Sequence, residues 1–165
     1  MEYRTKLRNL IIELVIVIVF LLLVFNFVFG VTVQHGNDMY PAIKDGDLIV
    51  YYRTHSFTNT EAVVYRSEDR ICTGRIAAGP GTCIGCTSDM QMTFDGLYLP
   101  ASYSDGIYSR TYAAEGEKLP FTVRENAFFI LGDNREDAED SRIQGQISKR
   151  NIKGRIVTVI RRRQI

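Results

Sequence analysis

Cysteine and histidine are scarce in this sequence, and their spacing argues against the common metal and redox sites. The chain of 165 residues contains three cysteines and two histidines. A zinc site would need a second ligand pair close to Cys83-x-x-Cys86, but both histidines lie far upstream. A thioredoxin-like site would need a helix after this pair, and no helical pattern follows it. We therefore expect no metal and no cofactor, and the pair forms either a structural disulfide or two free thiols.

Charge is almost absent between residues 10 and 29, where the sequence reads LIIELVIVIVFLLLVFNFVF. Only Glu13 and Asn26 interrupt this apolar run, which as a helix would be about 30 Å long and would match the hydrocarbon core of a bilayer. A cleaved signal peptide usually has a shorter apolar region, of about 7–15 residues, and a small-x-small cleavage site that is missing here. The run therefore predicts an uncleaved transmembrane anchor over residues 10–29.

Basic residues flank this anchor on one side only. Arg4, Lys6 and Arg8 precede it, whereas the first basic residue after it is Lys44. Positively charged flanks stay on the cytoplasmic side of a membrane. We therefore expect a single-pass protein of the cell membrane, with residues 1–9 in the cytoplasm and residues 30–165 forming an extracellular domain.

The net charge of +1 conceals a basic C-terminal end. Seven basic residues and no acidic one lie between residues 149 and 165: Lys149, Arg150, Lys153, Arg155, Arg161, Arg162 and Arg163. A domain that faces outward is a poor candidate for nucleic-acid binding, so we expect no nucleic-acid partner. The basic end is predicted either to contact anionic lipid or an acidic protein, or to be a solvated end of the fold.

Short β-like runs replace the apolar run after residue 30. Val, Ile, Tyr and Thr are frequent in these runs, and turns with Gly, Asp or Pro separate them. The predicted strands are 31–33, 47–53, 61–66, 70–77, 94–99, 121–124, 127–131 and 155–160. Residues 101–118 are rich in Ser, Tyr, Gly and charge and are predicted to form an exposed loop. The pattern indicates one mostly β domain.

Three segments of this domain are unusual together. The first is GNDMYPAIKDGD at residues 36–47, the second is GRIAAGPG at residues 74–81, and the third is GDNREDAEDSRIQG at residues 132–145. They resemble the sequence boxes of the type I signal peptidases, G-x-S-M-x-P, K-R-[VI]-[IV]-[GA]-x-P-G and G-D-N-R-x-x-S-x-D-S-R-x-x-G. The order of the boxes behind an N-terminal anchor is also that of the family. The resemblance implies a signal-peptidase-type β domain with an N-terminal transmembrane helix.

The chain departs from these boxes at the positions that carry the family's chemistry. The nucleophilic serine corresponds to Asp38, the general-base lysine to Gly74, and the serine that supports this lysine to Ala138. The family's reaction needs a hydroxyl nucleophile and a neutral lysine that takes its proton. A carboxylate that attacked an amide would be expelled again, because it is a better leaving group than the amine. The resemblance therefore implies an inactive homologue with no catalytic residues.

A pair of carboxylates that activates water is the other chemistry in which Asp38 could take part. Its candidate partners are Asp133, Asp137 and Asp140. By resemblance, Asp140 should form an ion pair with Arg142. Such a pair lowers the pKa of a carboxyl and makes it unsuited to sharing a proton. We therefore expect no catalytic pair of aspartates.

Members of the family bind their substrate as an extended strand, through backbone hydrogen bonds that do not need the catalytic dyad. The groove here would lie between the strand at 47–53 and the strand that contains Gly74, with a notch where the lysine is missing. Four apolar residues would either line the groove or belong to the core: Met39, Ile43, Leu48 and Val50. The predicted residues for binding a peptide or partner are Asp38, Met39, Gly74, Asp140 and Arg142.

Signal-peptidase-like proteins without the dyad occur in Gram-positive bacteria beside sortases, where they are needed to assemble covalently linked pili. The chain resembles this subset, with Asp in place of Ser and Gly in place of Lys. The resemblance implies an assembly factor or chaperone whose partners are pilin subunits and a class C sortase. The alternative is an active type I signal peptidase with divergent catalytic residues.

Overall fold

The computed structural model describes residues 2–98, 102–104, 107–109, 111–114 and 118–161. Its helices are α1 (Glu2–Val28) and α2 (Ser141–Gln144), with a 3-10 turn at Lys149–Asn151. Its strands are β1 (Phe29–Val33), β2 (Leu48–Tyr52), β3 (Ala62–Ser67), β4 (Arg70–Ala78), β5 (Cys83–Cys86), β6 (Met92–Phe94), β7 (Ser102–Ser104), β8 (Ile107–Ser109), β9 (Phe121–Thr122), β10 (Ala127–Leu131), β11 (Ile147–Ser148) and β12 (Ile152–Ile160). Beyond α1 the described chain is mostly β, which confirms the predicted fold class.

Helix α1 contains the apolar run. Its segment Tyr3–Val28 has a mean hydropathy of 3.1, and none of it is buried against the rest of the protein. The segment is long and apolar enough to cross a membrane, and it fits a membrane anchor. The helix ends one residue before the predicted boundary, because Phe29 already pairs with Tyr52 as the first residue of β1.

Strand β1 follows α1 directly. The backbone N–H of Arg53 donates to the carbonyl of Val28 (2.9 Å), and the Nε of Arg53 donates to the carbonyl of Phe29 (3.0 Å). The first of these bonds satisfies a carbonyl that the end of a helix leaves without an intrahelical donor. The Phe29 ring also lies against Phe25 and Tyr52, at centroid distances of 5.2 and 5.9 Å. These contacts attach the β domain to the end of the helix.

Seven strands form one antiparallel sheet in the order β1-β2-β12-β3-β4-β10-β11. The C-terminal strand β12 lies between β2 and β3 and pairs with both. Thr73 on β4 donates a buried hydrogen bond of 2.6 Å to Gln34, which follows β1, although three strands separate β1 from β4 in the sheet. The sheet therefore curls until its β1 edge approaches the first half of β4.

A second sheet of three strands has the order β6-β5-β9. Its buried residues Ile84 and Phe94 share a hydrophobic core with Phe129 and Leu131 of β10. The rings of Phe94 and Phe129 lie 6.2 Å apart. The two sheets therefore belong to one folded domain.

Two predictions for the region around this second sheet are wrong. The strand expected at 94–99 ends at Phe94, because Asp95 and Gly96 take left-handed backbone conformations (φ 51° and 77°) that turn the chain. The stretch 101–118, expected as a loop, contains the hairpin of β7 and β8. Part of that stretch (residues 101, 105–106, 110 and 115–117) lies outside the described residues, as do Arg162 and Arg163 of the basic end.

The C-x-x-C pair lies on β5, which the sequence did not predict as a strand. Cys83 and Cys86 are three residues apart in an extended chain, so their Cα atoms are about 10 Å apart. A disulfide requires less than about 7 Å between these atoms. All three cysteines are free, and Cys83 and Cys86 are exposed. Of the two alternatives that the sequence left open, the structure has free thiols.

Candidate functional site

The loop between β1 and β2 positions Asp38. Backbone bonds join the two ends of this loop, from Gln34 N–H to the Asp47 carbonyl (2.8 Å) and from Gly46 N–H to the Gln34 carbonyl (3.0 Å). Met39 is completely buried in the core. Because its neighbour is anchored there, Asp38 is held at the rim of the domain, where it is half-buried.

The third sequence box packs against this loop. The backbone N–H of Asn134 donates to the carbonyl of Asp38 (3.0 Å), and its side chain donates to the carbonyl of Asn37 (3.3 Å). Glycine is needed at residue 132, because a Cβ there would collide with the carbonyl oxygen of Asp38 and with the methyl group of Ala138. Ala138, the position of the family's lysine-supporting serine, is buried in this contact.

Asp140 and Arg142 form the ion pair that the family resemblance implied. The Nε and Nη2 atoms of Arg142 each donate to a different carboxylate oxygen of Asp140, both at 2.8 Å. The backbone N–H groups of Gly132 (3.0 Å) and Arg142 (3.1 Å) donate to the same carboxylate. Both side chains are at most one tenth exposed. The Asp140 carboxylate is therefore saturated with donors and has no capacity left for sharing a proton with Asp38.

The other two candidate partners of Asp38 are engaged elsewhere. Asp133 receives two hydrogen bonds from the guanidinium group of Arg75, at 2.9 and 2.8 Å. Asp137 is exposed and accepts from the side chain of Asn134 (3.4 Å). Among the described residues, none of the three aspartates makes a hydrogen bond with the carboxylate of Asp38. The geometry gives no support to a water-activating pair.

The carboxylate of Asp38 receives little hydrogen bonding from the described residues. Its Oδ1 atom accepts one long hydrogen bond, from the backbone N–H of Glu139 at 3.4 Å. Burial raises the pKa of Asp38, and the negative charges of Glu139 and Asp140 raise it further; the bond from Glu139 N–H and the charge of Arg70 act in the opposite direction without cancelling the rise. No cation lies within ion-pair distance of Asp38 in the described part of the chain.

A cleft of about 400 Å³ opens in front of Asp38. Its lining combines one end of β1, the loop that follows it, the start of β4 and the third box: Thr32, His35, Asp38, Arg70, Ile71, Cys72, Glu139 and Gln144. Arg70 and Glu139 form an ion pair at 2.8 Å between β4 and the third box, and both side chains are more than half exposed. The cleft is therefore polar at this ion pair and at Asp38, and partly apolar along β4.

Two open strand edges border this cleft. Strand β1 pairs with β2 on one side, and no other described strand pairs with it. Residues 70–74 of β4 pair with β3 alone, because β10 joins β4 only from Arg75 onward. The prediction that the strand at 47–53 lines the groove is therefore wrong, since β12 covers the free side of β2 and leaves β1 as the edge strand.

The expected notch beside Gly74 is also wrong. Gly74 is buried, and a Cβ built on it would lie 2.5 Å from Cγ2 of Ile130 and 3.3 Å from Cε1 of Tyr65. The carbonyl oxygen of Leu131 would lie 3.2 Å away. These neighbours fill the space that a side chain at residue 74 would need. A lysine at this position would therefore not fit without movement of its neighbours.

The five residues predicted to bind a peptide or partner thus lie in different surroundings. Asp38 lines the cleft. Met39 lies in a core group with Ile43, which resolves the choice between core and groove for both, and Gly74 is covered by Ile130. Asp140 and Arg142 form the internal ion pair described above, next to the loop that holds Asp38.

Sequence reasoning missed most of the lining of the cleft. Arg70, Ile71 and Cys72 lie on the strand that was predicted at 70–77, so the residues before Gly74 on that strand could have been considered. Glu139 lies inside the third box, and its position beside Ala138 was a usable signal. Gln144 lies in the same box. Nothing in the sequence pattern marks Thr32, because its place beside β4 depends on the curl of the sheet.

Comparison with known proteins identifies the family to which these features correspond. A family model described as "Signal peptidase, peptidase S26" matches residues 7–160. The inactive signal peptidase IA of Staphylococcus aureus (strain Mu50) is 28% identical over 161 residues, which cover 92% of this chain and 90% of that protein. Signal peptidase I S of Bacillus subtilis (strain 168) is 28% identical over 151 residues, which cover 86% of this chain and 82% of that protein.

Among solved structures, the chain is similar to a crystal structure of a signal peptidase I from Enterococcus faecalis V583. The two share 20% sequence identity with a TM-score of 0.47, and the match covers 62% of this chain and 97% of the other. The relatives found by sequence therefore include proteins named as inactive and proteins named as signal peptidases.

Proposed function

The chain belongs to the S26 signal peptidase family, and from this premise we propose that it is a non-catalytic member that holds an extended segment of a partner protein. Its role is that of an assembly factor or chaperone on the outer face of the cell membrane. The observation that carries this proposal is the cleft beside Asp38, which two open strand edges border.

The chemistry of the site supports the absence of catalysis. Residue 38 has no hydroxyl group and residue 74 has no side chain, so neither the nucleophile nor the base of the family's reaction is present. The interior beside Gly74 is filled by Ile130 and Tyr65, which leaves no space for a lysine side chain at this position. Relatives in Staphylococcus aureus that carry the name inactive signal peptidase IA agree with this interpretation.

The open edges support peptide binding. An unpaired strand edge offers backbone donors and acceptors to an added strand, and side chains of the added strand then enter adjacent pockets. Strand β1 and the first half of β4 offer two such edges, and neither needs a catalytic residue. The apolar side chain of Ile71, which is nearly half exposed in the cleft, provides a contact for an apolar residue of the partner.

The direct connection between α1 and β1 supports a position close to the membrane. The three basic residues before the apolar segment favour a cytoplasmic N-terminus, which would place the β domain outside. By its resemblance to the Gram-positive proteins that lack the dyad, the partners are pilin subunits and a class C sortase. The bound segment would then be an extended part of a pilin subunit before or during polymerisation.

A cleavage assay tests the proposed absence of catalysis. The full chain in detergent is incubated with a preprotein that an active signal peptidase processes in the same buffer. We expect no cleavage by the wild type or by Asp38→Asn. Robust cleavage by the wild type that Asp38→Asn abolishes would establish the alternative, an active signal peptidase with divergent residues.

Deletion of the gene tests the proposed assembly role. We expect the deletion strain to lose its covalent surface polymers while preproteins are still processed. The wild-type gene on a plasmid should restore the polymers. Normal polymers together with an accumulation of uncut preproteins would contradict the proposal and favour the signal peptidase.

A further inference from the structure

The charges that line the cleft leave Asp38 without a counterion. The acidic and basic side chains of the lining are His35, Asp38, Arg70 and Glu139, and among the described residues none of the others forms an ion pair with Asp38. Arg70 and Glu139 neutralise each other through their contact of 2.8 Å. Arg142 of the third box is not available to Asp38, because it already forms an ion pair with Asp140. Among the described residues, Asp38 is therefore the acidic side chain of the cleft that no ion pair compensates.

Hydrogen bonding does not compensate this charge. The bond from Glu139 N–H, at 3.4 Å, is longer than the usual 2.7–3.2 Å of an N–H···O bond. Among the described residues, nothing donates to Oδ2 of Asp38. A half-buried carboxylate with a single long hydrogen bond is unfavourable in the empty protein, and a donor that arrives with a ligand relieves it.

A second unsatisfied acceptor belongs to the same lining. Gln144 donates from Nε2 to the carbonyl of Glu139 (2.7 Å), which fixes the orientation of its amide. Its Oε1 atom is buried, and no donor of the described residues reaches it. Because this Gln144 oxygen is closed off from solvent, Oδ2 of Asp38 is the acceptor without a described donor that the cleft offers to a ligand.

An extended segment between the two open edges would bring side chains to this position. Alternate residues of a strand point to the same face, about 6.6 Å apart, so at least one side chain of a bound segment faces the wall that contains Asp38. An ammonium or guanidinium group supplies several N–H donors together with a positive charge, and no other side chain supplies both at neutral pH. A basic side chain therefore supplies both the positive charge and the hydrogen-bond donors that Asp38 lacks.

We propose that Asp38 is a recognition site for a lysine or arginine side chain of the extended segment that the cleft holds. This inference rests on the proposed peptide-binding function and names the side-chain chemistry that the site selects. The residue that replaces the family's nucleophile thereby contributes specificity to the groove. An anionic or apolar side chain at the same position of the segment would leave the carboxylate unpaired.

Binding of designed peptides tests this inference. The probe is a set of fluorescent ten-residue peptides of Thr, Val and Ser, with Lys, Arg, norleucine or Glu at one scanned position. The full chain is held in lipid nanodiscs, and Kd is measured by fluorescence anisotropy at neutral pH. We expect the best lysine or arginine peptide to bind about tenfold or more tightly than its norleucine counterpart, as a charge-assisted hydrogen bond predicts. The glutamate peptide should bind weakest.

Variants assign the preference to Asp38. Asp38→Asn should reduce the affinity for the lysine peptide to that for the norleucine peptide, and Asp38→Lys should reverse the preference in favour of glutamate. Glu136→Gln is the matched control, because Glu136 is an exposed acid of the same box that does not line the cleft. This control changes the net charge equally and should retain the preference for lysine.

The possible failures are distinguishable. If lysine and norleucine peptides bind the wild type equally, or if Asp38→Asn keeps the lysine preference, the role of Asp38 is overturned while the peptide-binding groove stands. If Glu136→Gln abolishes the preference as Asp38→Asn does, the effect is one of net charge and the inference is also overturned. If no peptide binds the wild type, both the inference and the proposed groove fail.

Discussion

A methyl group built on Gly74 would lie 2.5 Å from the Cγ2 atom of Ile130. Real Cβ atoms do not approach another heavy atom so closely, so a side chain at residue 74 would require Ile130 to move. Ile130 is completely buried and packs with Tyr65 and Ile76 in one core group. The loss of the family's lysine is therefore accompanied by core packing that opposes its return.

Substitution of Gly74 should accordingly be costly even for a single methyl group. We expect Gly74→Ala to lower the free energy of unfolding by about 1–3 kcal/mol, which is typical of overpacking in a core. Gly79→Ala is the matched control, because its added Cβ would make ordinary contacts of 3.6 Å or more to Asn59 and Phe128. Thermal denaturation of the detergent-solubilised chain measures both. Equal stability of the two variants would contradict the packing argument.

The same contact predicts that the family's dyad cannot be rebuilt by two substitutions. We expect Asp38→Ser combined with Gly74→Lys to give no cleavage of a preprotein, because the lysine cannot enter the filled interior. Adding Ile130→Ala removes the closest obstacle and should recover part of the stability lost in the double variant. Cleavage by the double variant without a change at Ile130 would show that the core beside residue 74 rearranges to hold the lysine.

The raised pKa of Asp38 has a consequence for stability that is opposite to the usual case for carboxylates. The folded state holds the proton more tightly than the unfolded state, where the pKa is near its ordinary value of 3.8. At neutral pH the buried charge therefore opposes folding, and this penalty disappears as the pH falls through the raised pKa. The charged or titratable groups near Asp38 are His35, Tyr65, Arg70, Cys72, Glu139 and Asp140.

Asp38→Asn should thus be slightly more stable than the wild type at neutral pH. We expect a gain of at most about 1 kcal/mol, because the side chain is only half-buried, and this corresponds to about 2–4 °C in Tm. The difference should shrink as the pH is lowered toward 4, and thermal denaturation over a pH series measures it. If the stability gain of Asp38→Asn grew as the pH fell, the pKa of Asp38 would be lowered in the folded state and the argument would be contradicted.

The Asp140–Arg142 pair should matter far more for stability than the Arg70–Glu139 pair. Arg142→Ala leaves a buried carboxylate with a lost partner, and removal of one member of a buried pair costs about 3–5 kcal/mol. Arg70→Ala breaks a pair that solvent screens, because both side chains are more than half exposed, and should change the stability very little. Urea denaturation of both variants compares the two losses. Similar losses would indicate that Asp140 is rehydrated when Arg142 is removed.

The part of the site that was anticipated is the part that the family resemblance implied. The pair of Asp140 with Arg142 was expected by resemblance, and the structure forms it between two residues of one box at the start of α2. The open edge of β1 could not be inferred in this way, because it depends on β12, which arrives from the other end of the chain to cover β2. The filled space beside Gly74 likewise depends on Ile130, whose strand pairs with β4 only in the folded sheet.

Cys72 offers a direct measure of whether a partner segment occupies the cleft. It lines the cleft and is half-buried, and burial raises the pKa of its thiol, so alkylation near neutral pH should be slow. Cys83 and Cys86 are exposed on the other sheet and serve as internal controls in the same molecule. The wild-type chain in nanodiscs is treated with N-ethylmaleimide, and mass spectrometry follows the adducts on each cysteine.

A lysine peptide at saturating concentration should slow the alkylation of Cys72 severalfold, because the bound strand lies along the start of β4 and covers the thiol. The rates at Cys83 and Cys86 should not change, since β5 does not border the cleft. In Asp38→Asn the same peptide concentration should protect Cys72 less, in proportion to its weaker binding. Equal rates at Cys72 with and without a peptide whose binding is measured independently would show that the peptide occupies another surface.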